Sequence, residues 1–356
     1  MTPHERRRGT LVAMGRRRNG LRVVVALVLF AGWAAANLVP LGLAAVSPGL
    51  PFEVGPRLHV AAPHDHPTKE LLLFLTVRIR RRISLIDAIV GWVQGPTDVF
   101  HEKTLFGDET PTESRDRSQG EIDDSKTIAM VVAFRRLGLP VVGRGVKILA
   151  VAPGVPAGTV LHRGDVIVGI DGRPVCLTGD VSLALRNHHA NEVVDVELAT
   201  RRHVRVTLTD DPNTGRVLLG LRLSTVACRP SFRVVVDTGG LLGPSGGLAM
   251  TLSMLDRLSP GELLGKGPVA VTGTIDVDGS VGPVGGIKQK TIAARRAGAK
   301  LFIVPTDELP EARRHSGRLR VVGAGHLEDA LRALADQGGA PLPPIATPQQ
   351  QQRGPA

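Results

Sequence analysis

The chain has 356 residues, enough for two domains with connecting segments, and its formal net charge is +11. Residues 1–22 hold about half of that excess, because their arginines accompany a single acidic residue. The chain has neither an aromatic-rich basic stretch nor zinc-finger spacing, which argues against nucleic acid as a partner. His64 and His66 flank Asp65 without a further ligand cluster, so a solvated loop is favoured over a metal site.

A long apolar run follows the basic tail. No charged residue intervenes from position 23 until Glu53, and residues 23–46 exceed the roughly 20 residues that a transmembrane helix needs. Arginine clusters stay on the cytoplasmic side of a membrane. We therefore expect a cytoplasmic tail at 1–22, a single helix in the lipid bilayer of the cell membrane at 23–46, and an extracytoplasmic remainder. Cleavage of a secretory signal near Ala44 is the alternative.

Residues 47–140 predict an extracytoplasmic α/β connecting region. The apolar run at 71–79 is too short to cross a membrane and predicts a strand, and 84–93 predicts a short helix. Residues 101–126 are charged and polar, which is typical of an exposed, flexible segment. A further helix is predicted over 125–137, with Gly138 after it.

Residues 141–211 predict a compact, β-rich unit. Alternating apolar residues indicate strands at 146–151, 164–170, 194–198 and 204–208. Asp171 and Gly172 form a dipeptide typical of tight hairpin turns. Asp180 is a candidate cap for a helix that extends to Asn187.

This order of elements, together with APGVPAGTVLHRGDVIVGIDGRPV at 152–175, resembles a bacterial PDZ domain. PDZ domains bind extended peptides by adding a strand at an exposed sheet edge, and a glycine-bordered loop commonly holds the terminal carboxylate. The resemblance therefore implies a peptide ligand. Candidate residues of that loop and edge are Gly143, Gly145, Val146 and Ile148. The alternative is that these residues only close the fold.

Residues 216–337 predict an α/β domain. Apolar runs indicate strands at 217–223, 232–237, 269–276, 301–305 and 319–322. Helices are predicted from about Pro244 to Leu258, after Gly286, and over 326–334. The tail at 338–356 is rich in proline and glutamine and is predicted to be disordered. The predicted fold class is thus multi-domain: a transmembrane helix, a β-rich domain and an α/β domain.

Two motifs of the α/β domain carry the chemistry. GPSGG at 243–247 places Ser245 at the start of an apolar helix, where free backbone N–H groups stabilise an oxyanion. Alone, this motif fits an ordinary N-cap serine better than a catalytic one. The second segment is VTGTIDVDGSVGPVGGIKQK at 271–290. Together the two segments resemble the proteolytic domain of the Lon protease family, specifically the membrane-anchored branch that has a PDZ domain and lacks the ATPase domain.

The resemblance covers roughly residues 125–337 and, more loosely, the N-terminal anchor, and it implies a role for three side chains. It implies that Ser245 is the nucleophile, that Lys290 is the general base, and that Thr272 holds the lysine. Gly246 stands where the family usually has alanine. Leu242 stands where ATP-dependent relatives carry an acidic residue, so we do not expect activation by that group.

A serine–lysine dyad is chemically sensible only if the lysine is buried. A serine hydroxyl needs a neighbouring base, and a free lysine is protonated at neutral pH. In a helix that begins at Ile287, Lys288 and Lys290 point about 200° apart. Lys290 falls among alanines such as Ala293 and Ala294, whereas Lys288 falls beside Arg295. The helical phase therefore also selects Lys290.

No phosphate-binding P-loop is present, because Pro260 stands where its first glycine is required. We expect no cofactor and no metal, and an ATP-independent serine endopeptidase that cleaves extracytoplasmic or membrane-proximal polypeptides recruited or regulated through the PDZ domain. The alternative is a catalytically inactive, membrane-tethered PDZ scaffold. The sequence leaves open whether the chain forms a homo-oligomer. It also leaves open whether Cys176 and Cys228 form a disulfide or remain separate thiols.

Overall fold

The computed structural model describes residues 26–28, 30, 42–66, 71–211 and 214–342, without the side chains of residues 92 and 94. The chain divides into two compact units. Of the described residues, the first unit contains those up to 48 and 77–109, and the second contains those from 49 to 76 and from 110 onward.

The first unit is a small α/β unit, to which β1 and β3 contribute only part of their length. Its elements are β1 (Leu43–Glu53), β3 (Leu72–Arg81), α1 (Leu85–Gln94), β4 (Asp98–His101) and α2 (Glu102–Phe106). β1 pairs with β4 in antiparallel fashion, from Leu43 opposite His101 to Val46 opposite Asp98. The strand predicted at 71–79 and the helix predicted at 84–93 are therefore confirmed.

The end of the predicted transmembrane helix is wrong. Residues 43–46 lie in β1, where Ala44, Ala45 and Val46 are buried. Residues 26–28 and 30 are helical, and the other residues of the predicted span before Gly42 lie outside the described residues. In the part of the chain that the structure describes, no helix combines the length and apolar character needed to cross a bilayer.

The second unit contains an α/β domain whose sheet has the strand order β18-β17-β14-β3-β1. The other strands of this sheet are β14 (Val269–Val271), β17 (Leu301–Pro305) and β18 (Arg320–Ala324). β14 pairs in parallel with both β3 and β17, and β17 pairs in parallel with β18. Outside this sheet, β2 (Leu58–Val60) pairs with β13 (Val234–Val236), and β15 (Thr274–Ile275) pairs with β16 (Val281–Gly282).

Helices cover both faces of this sheet. They are α3 (Pro111–Arg136), α5 (Gly247–Leu258), α6 (Ile287–Arg296), α7 (Leu309–Ser316) and α8 (Leu327–Ala335). Because successive strand residues point to opposite faces, Leu301 and Ile303 join one apolar cluster with α3, α5 and α8. Phe302 and Val304 join the other cluster with α6 and α7. All these helices except α7 were predicted at least in part.

The prediction of an exposed, flexible segment at 101–126 is wrong. Most of it belongs to the long helix α3, which begins with a capping box between Thr110 and Glu113. Its polar outer face includes an i,i+4 pair between Arg117 and Glu121. Ile122 lies on the inner face and is buried, so α3 is a packed helix with a strongly polar exposed side.

A β-rich domain is inserted between α3 and β13. Its sheet has the order β12-β5-β6-β8-β9, and its helix is α4. The bounds are β5 (Val141–Val151), β6 (Val166–Ile170), β7 (Arg173–Pro174), α4 (Thr178–Leu185), β8 (Val193–Leu198), β9 (His203–Thr207), β10 (Thr209–Asp210), β11 (Val217–Leu218) and β12 (Leu221–Pro230). The predicted hairpin turn is present, with φ of 48° at Asp171 and 73° at Gly172. This is the predicted PDZ-like β domain.

The insertion changes the domain limits expected from sequence. β12 was assigned to the α/β domain from residue 216, but it lies in the PDZ-like sheet. Conversely, β3 and α3 fall in the predicted connecting region 47–140, yet they complete the sheet and core of the α/β domain. The α/β domain is therefore discontinuous in sequence. The predicted disordered tail lies outside the described residues from 343 onward, and residues 338–342 are described.

The predicted peptide-binding edge is not open. β5 pairs with β6 on one side and with β12 on the other. Gly143 lies opposite Cys228, and Gly145 lies opposite Ala227, so the glycine loop is part of the ladder. Val146 and Ile148 are fully buried in the core of the PDZ-like domain.

The domain is anchored by a disulfide and a buried carboxylate. Cys176 and Cys228 are joined by a disulfide bond, which decides the question left open by the sequence. Asp180 is not the N-cap residue and α4 ends at Leu185, but the Asp180 carboxylate accepts the N–H groups of Cys176 and Leu177, each at 2.8 Å. Arg135 of α3 binds the same carboxylate at 2.7 and 2.9 Å. Burial alone would raise the pKa of Asp180, but these donors outweigh it and hold that pKa below its usual range.

We predict that Asp180→Asn lowers the free energy of unfolding by about 3 kcal/mol, because it leaves Arg135 without its charged partner at a buried junction. Thermal and urea unfolding of the full chain measure this change. Ser182→Ala, an exposed change in the same helix, is the matched control and should be close to neutral. Equal stability of the Asp180→Asn variant and the control would contradict the anchoring role.

Candidate active site

Ser245 lies in a tight turn that leads into α5. Gly243 has a φ of +83°, and the Gly247 N–H donates to the Pro244 carbonyl oxygen at 3.1 Å. The helix therefore begins at Gly247, three residues later than predicted. The N–H groups of Ser245 and Gly246 have no hydrogen-bond acceptor among the described residues, so they are available to an oxyanion.

Helix α3 holds this turn from one side. The Gly243 N–H donates to the Ser118 carbonyl oxygen at 2.9 Å, and Ser125 Oγ donates to the Pro244 carbonyl oxygen at 3.1 Å. Neither contact could be predicted from sequence, because both serines fall in a segment expected to be exposed. Each contact fixes a backbone group next to Ser245.

Close packing explains the two glycines after Ser245. A Cβ atom at Gly247 would lie 2.9 Å from the backbone nitrogen of Ile275, closer than real Cβ atoms come. A Cβ atom at Gly246 would lie 3.2 Å from the ring of Phe74, so a larger residue there would require the ring to shift. Glycine at 246 thus fits the position of Phe74.

Lys290 is buried and points to Thr272. Helix α6 begins after Gly286, whose φ of 70° suits glycine, and Lys290 is only 2% exposed. Lys290 Nζ donates to Thr272 Oγ1 at 3.1 Å, and Thr272 Oγ1 donates to the Ser245 carbonyl oxygen at 3.4 Å. The structure thus brings the three predicted residues together. Among the described residues, no direct hydrogen bond joins Ser245 Oγ to Lys290 Nζ; Thr272 links Lys290 to the backbone carbonyl of Ser245 and not to its hydroxyl.

The two lysines of α6 differ as the helical phase predicts. Lys290 is on the buried face, whereas Lys288 is partly exposed. Burial lowers the pKa of Lys290 from its ordinary value of 10.5 to about 8, because the ammonium ion loses its water. Lys290 can therefore be neutral at a pH where an ordinary lysine is charged.

Glu308 is a site residue that sequence reasoning missed. It ends a short 3₁₀ turn (Thr306–Glu308) after β17, and its carboxylate accepts the Val284 N–H at 3.2 Å. Burial raises the pKa of Glu308, and its negative charge opposes the fall in the pKa of Lys290. A signal was available: Thr272 and Glu308 follow the carboxyl ends of the adjacent parallel strands β14 and β17, and such ends form sites in α/β sheets.

The His64–Asp65–His66 triplet makes structural contacts. Arg257 binds the Asp65 carboxylate at 2.7 and 2.6 Å, and the His64 ring stacks on Phe232 at 4.0 Å. Within the described ranges, no group of three or more metal-ligating side chains is assembled.

Comparison with known proteins identifies the domain that carries this site. Residues 238–333 match the family model described as the Lon protease (S16) C-terminal proteolytic domain. The Lon protease of Anaeromyxobacter dehalogenans is 34% identical over 113 residues, covering 30% of this chain and 13% of that protein. The Lon protease of Treponema pallidum is 43% identical over 75 residues, covering 19% of this chain and 8% of that protein. The chain thus spans only a small part of the length of these relatives, and it carries a serine-peptidase domain of the Lon type.

Solved PDZ domains are also similar to part of the chain. The PDZ domain of the SdrC-like protein from Listeria monocytogenes is 25% identical, with a TM-score of 0.23, and covers 24% of this chain and 93% of that chain. The corresponding domain from Listeria innocua is 24% identical, with a TM-score of 0.21, and covers 23% of this chain and 97% of that chain.

We predict that Glu308→Gln lowers the pKa of Lys290 below about 8, because it removes the negative charge that stabilises the ammonium form. The pKa is measured by titrating the ¹³Cε chemical shift of Lys290 in labelled protein. Asp307→Asn removes an exposed charge at the neighbouring position and should change this pKa less. A pKa that is unchanged or raised in Glu308→Gln would contradict this coupling.

Proposed function

We propose that the chain is an ATP-independent, membrane-anchored serine endopeptidase in which Ser245 is the nucleophile, Lys290 the general base and Thr272 the residue that holds the lysine. The observation that carries this proposal is the buried Lys290 amine, joined through Thr272 to the Ser245 turn. Burying a charged amine is unfavourable, so an apolar side chain would pack better at this position than lysine does. The buried lysine is therefore explained by a chemical role rather than by packing.

The proposed reaction is acyl transfer in two stages. The neutral Lys290 amine takes the proton of Ser245 Oγ while the oxygen attacks the scissile carbonyl carbon. The N–H groups of Ser245 and Gly246 stabilise the resulting oxyanion. The Lys290 ammonium then gives its proton to the leaving amine as the C–N bond breaks, and water attacks the acyl-enzyme with Lys290 again as base.

The pKa of Lys290 sets the active fraction of the enzyme. With a pKa of about 8, about one molecule in ten has a neutral amine at pH 7, far more than an ordinary lysine would supply. Activity should therefore rise as the pH increases toward and through about 8, because the base must be deprotonated.

The substrates we propose are extended polypeptides outside the cytoplasm or near the membrane surface, recruited or regulated through the PDZ-like domain. The disulfide between Cys176 and Cys228 supports this location, because disulfides persist in oxidising compartments. The apolar residues from 23 to the start of β1 and the preceding arginines support an anchor with the N-terminus in the cytoplasm. We propose that the membrane helix ends before β1.

For the dyad, we predict that Lys290→Gln and Ser245→Ala abolish hydrolysis of dye-labelled, denatured casein while circular dichroism remains that of the wild type. Lys288→Gln is the matched control on the same helix and should keep most of the activity, because Lys288 is partly exposed. Cleavage by Lys290→Gln together with an inactive Lys288→Gln would overturn the assignment. A wild-type chain that neither cleaves casein nor reacts at Ser245 with a serine-directed probe would favour the inactive PDZ scaffold.

For the topology, we predict that alkaline phosphatase fused after residue 342 is active in cells, because this reporter folds only outside the cytoplasm. β-Galactosidase fused at the same position, which needs the cytoplasm, should be inactive. The reverse pattern would contradict the proposed orientation.

A further inference from the structure

The peptide groove of the PDZ-like domain is occupied by the chain itself. In PDZ domains an extended peptide adds as a further strand beside an edge strand of the sheet, and the sequence predicts that β5 is that strand here. β12 takes that place: it runs antiparallel to β5, from Leu221 opposite Val151 to Pro230 opposite Val141. It also meets helix α4, because the Thr178 N–H donates to Thr225 Oγ1 at 3.3 Å.

The side chains of β12 alternate as those of a bound peptide would. Leu221 and Leu223 are partly buried and pack against the core of the PDZ-like domain. Arg222 and Ser224, which lie between and after them, are exposed. Over residues 221–224 this period of two directs the two leucines toward the core of the domain and Arg222 and Ser224 toward solvent.

β12 crosses the glycine loop as an internal segment. The register shifts between Thr225 and Cys228, opposite Gly145 and Gly143, and the chain continues toward β13. The ladder therefore fills the place where a peptide terminus would sit. The disulfide from Cys228 to Cys176, just before α4, fixes the strand at this end.

We propose that β12 is the built-in ligand of the PDZ-like groove, and that a second polypeptide binds there only when β12 has left it. The partner is an extended, internal segment with aliphatic residues at alternate positions, since that is the pattern that β12 presents. This inference rests on the proposed peptide-binding role of the domain. β12 continues through β13 toward the turn that holds Ser245, and the pairing of β13 with β2 holds that connection in place independently of β12.

The test measures binding of a dye-labelled synthetic peptide, GLRLSTVASRP, which copies residues 220–230 with serine in place of the cysteine. The full chain carries Ser245→Ala throughout, so that the probe is not cleaved. In the released variant, Leu221→Ser, Leu223→Ser and Cys228→Ser weaken the docking of β12. The matched control changes the two outward side chains of the same strand, Arg222→Ala and Ser224→Ala.

Fluorescence anisotropy should show that the released variant binds the peptide at least about tenfold more tightly than the parent chain, because its groove is open in a larger fraction of molecules. The control should bind as weakly as the parent. Equal affinity of the parent and the released variant would overturn the proposal. A second outcome would also overturn the proposal: the released variant fails to bind the peptide, although hydrogen exchange shows that its β12 amides are unprotected and its β8 amides are still protected.

If the released variant loses the fold of the domain, hydrogen exchange of the parent chain decides the matter. The proposal requires that β12 amides exchange through openings that are less costly than those exposing β6 and β8. If the β12 amides exchange only through the same opening that exposes the β8 amides, the proposal is overturned. Neither peptide binding nor hydrogen exchange depends on proteolysis. A negative result in these two measurements therefore does not contradict the serine–lysine dyad. Conversely, a chain without peptidase activity would not change the outcome of either measurement.

Discussion

The pairing of β5 with β12 is the constraint on which the rest of the second unit depends. The α/β domain is interrupted after α3 and resumes at β13, so the two ends of the insertion must meet. They meet where Val141 lies opposite Pro230 and where the Ser231 N–H donates to the Pro140 carbonyl oxygen at 3.2 Å. This closure lets α3, which precedes the insertion, pack against α5, which follows it, and hold the Ser245 turn.

Within that frame, the site balances two opposed electrostatic effects. Burial of Lys290 disfavours its charged form, while Glu308 favours it. If burial acted alone, the amine would be a weaker base and would remove the serine proton less readily; if the charge dominated, the amine would stay protonated. A general base works best when its pKa lies near the working pH, and a pKa of about 8 is consistent with that compromise.

The sequence predicted local features well and long-range features poorly. The phase of α6 and the burial of Lys290 follow from helical periodicity, and the hairpin at Asp171–Gly172 follows from turn chemistry, because both depend on neighbouring residues. The partner of β5 could not be predicted, since β12 is distant in sequence and shares its alternating pattern with any half-buried strand. The first half of helix α3, before residue 125, was missed because its exposed face carries enough charge to hide a narrow apolar stripe. Glu308 was missed because its role arises only from the adjacency of two parallel strands.

The disulfide has a consequence for the integrity of the chain. It closes a loop of 52 residues, a constraint that stabilises the domain by about 4 kcal/mol in the chain-entropy model. That loop contains the exposed turn between β8 and β9, where Arg201 adopts a positive φ of 63°. A backbone cut in this turn would leave both fragments covalently joined through Cys176 and Cys228. Cleavage in this turn, whether by a neighbouring copy or by another peptidase, would therefore not separate the two fragments as long as the disulfide is intact.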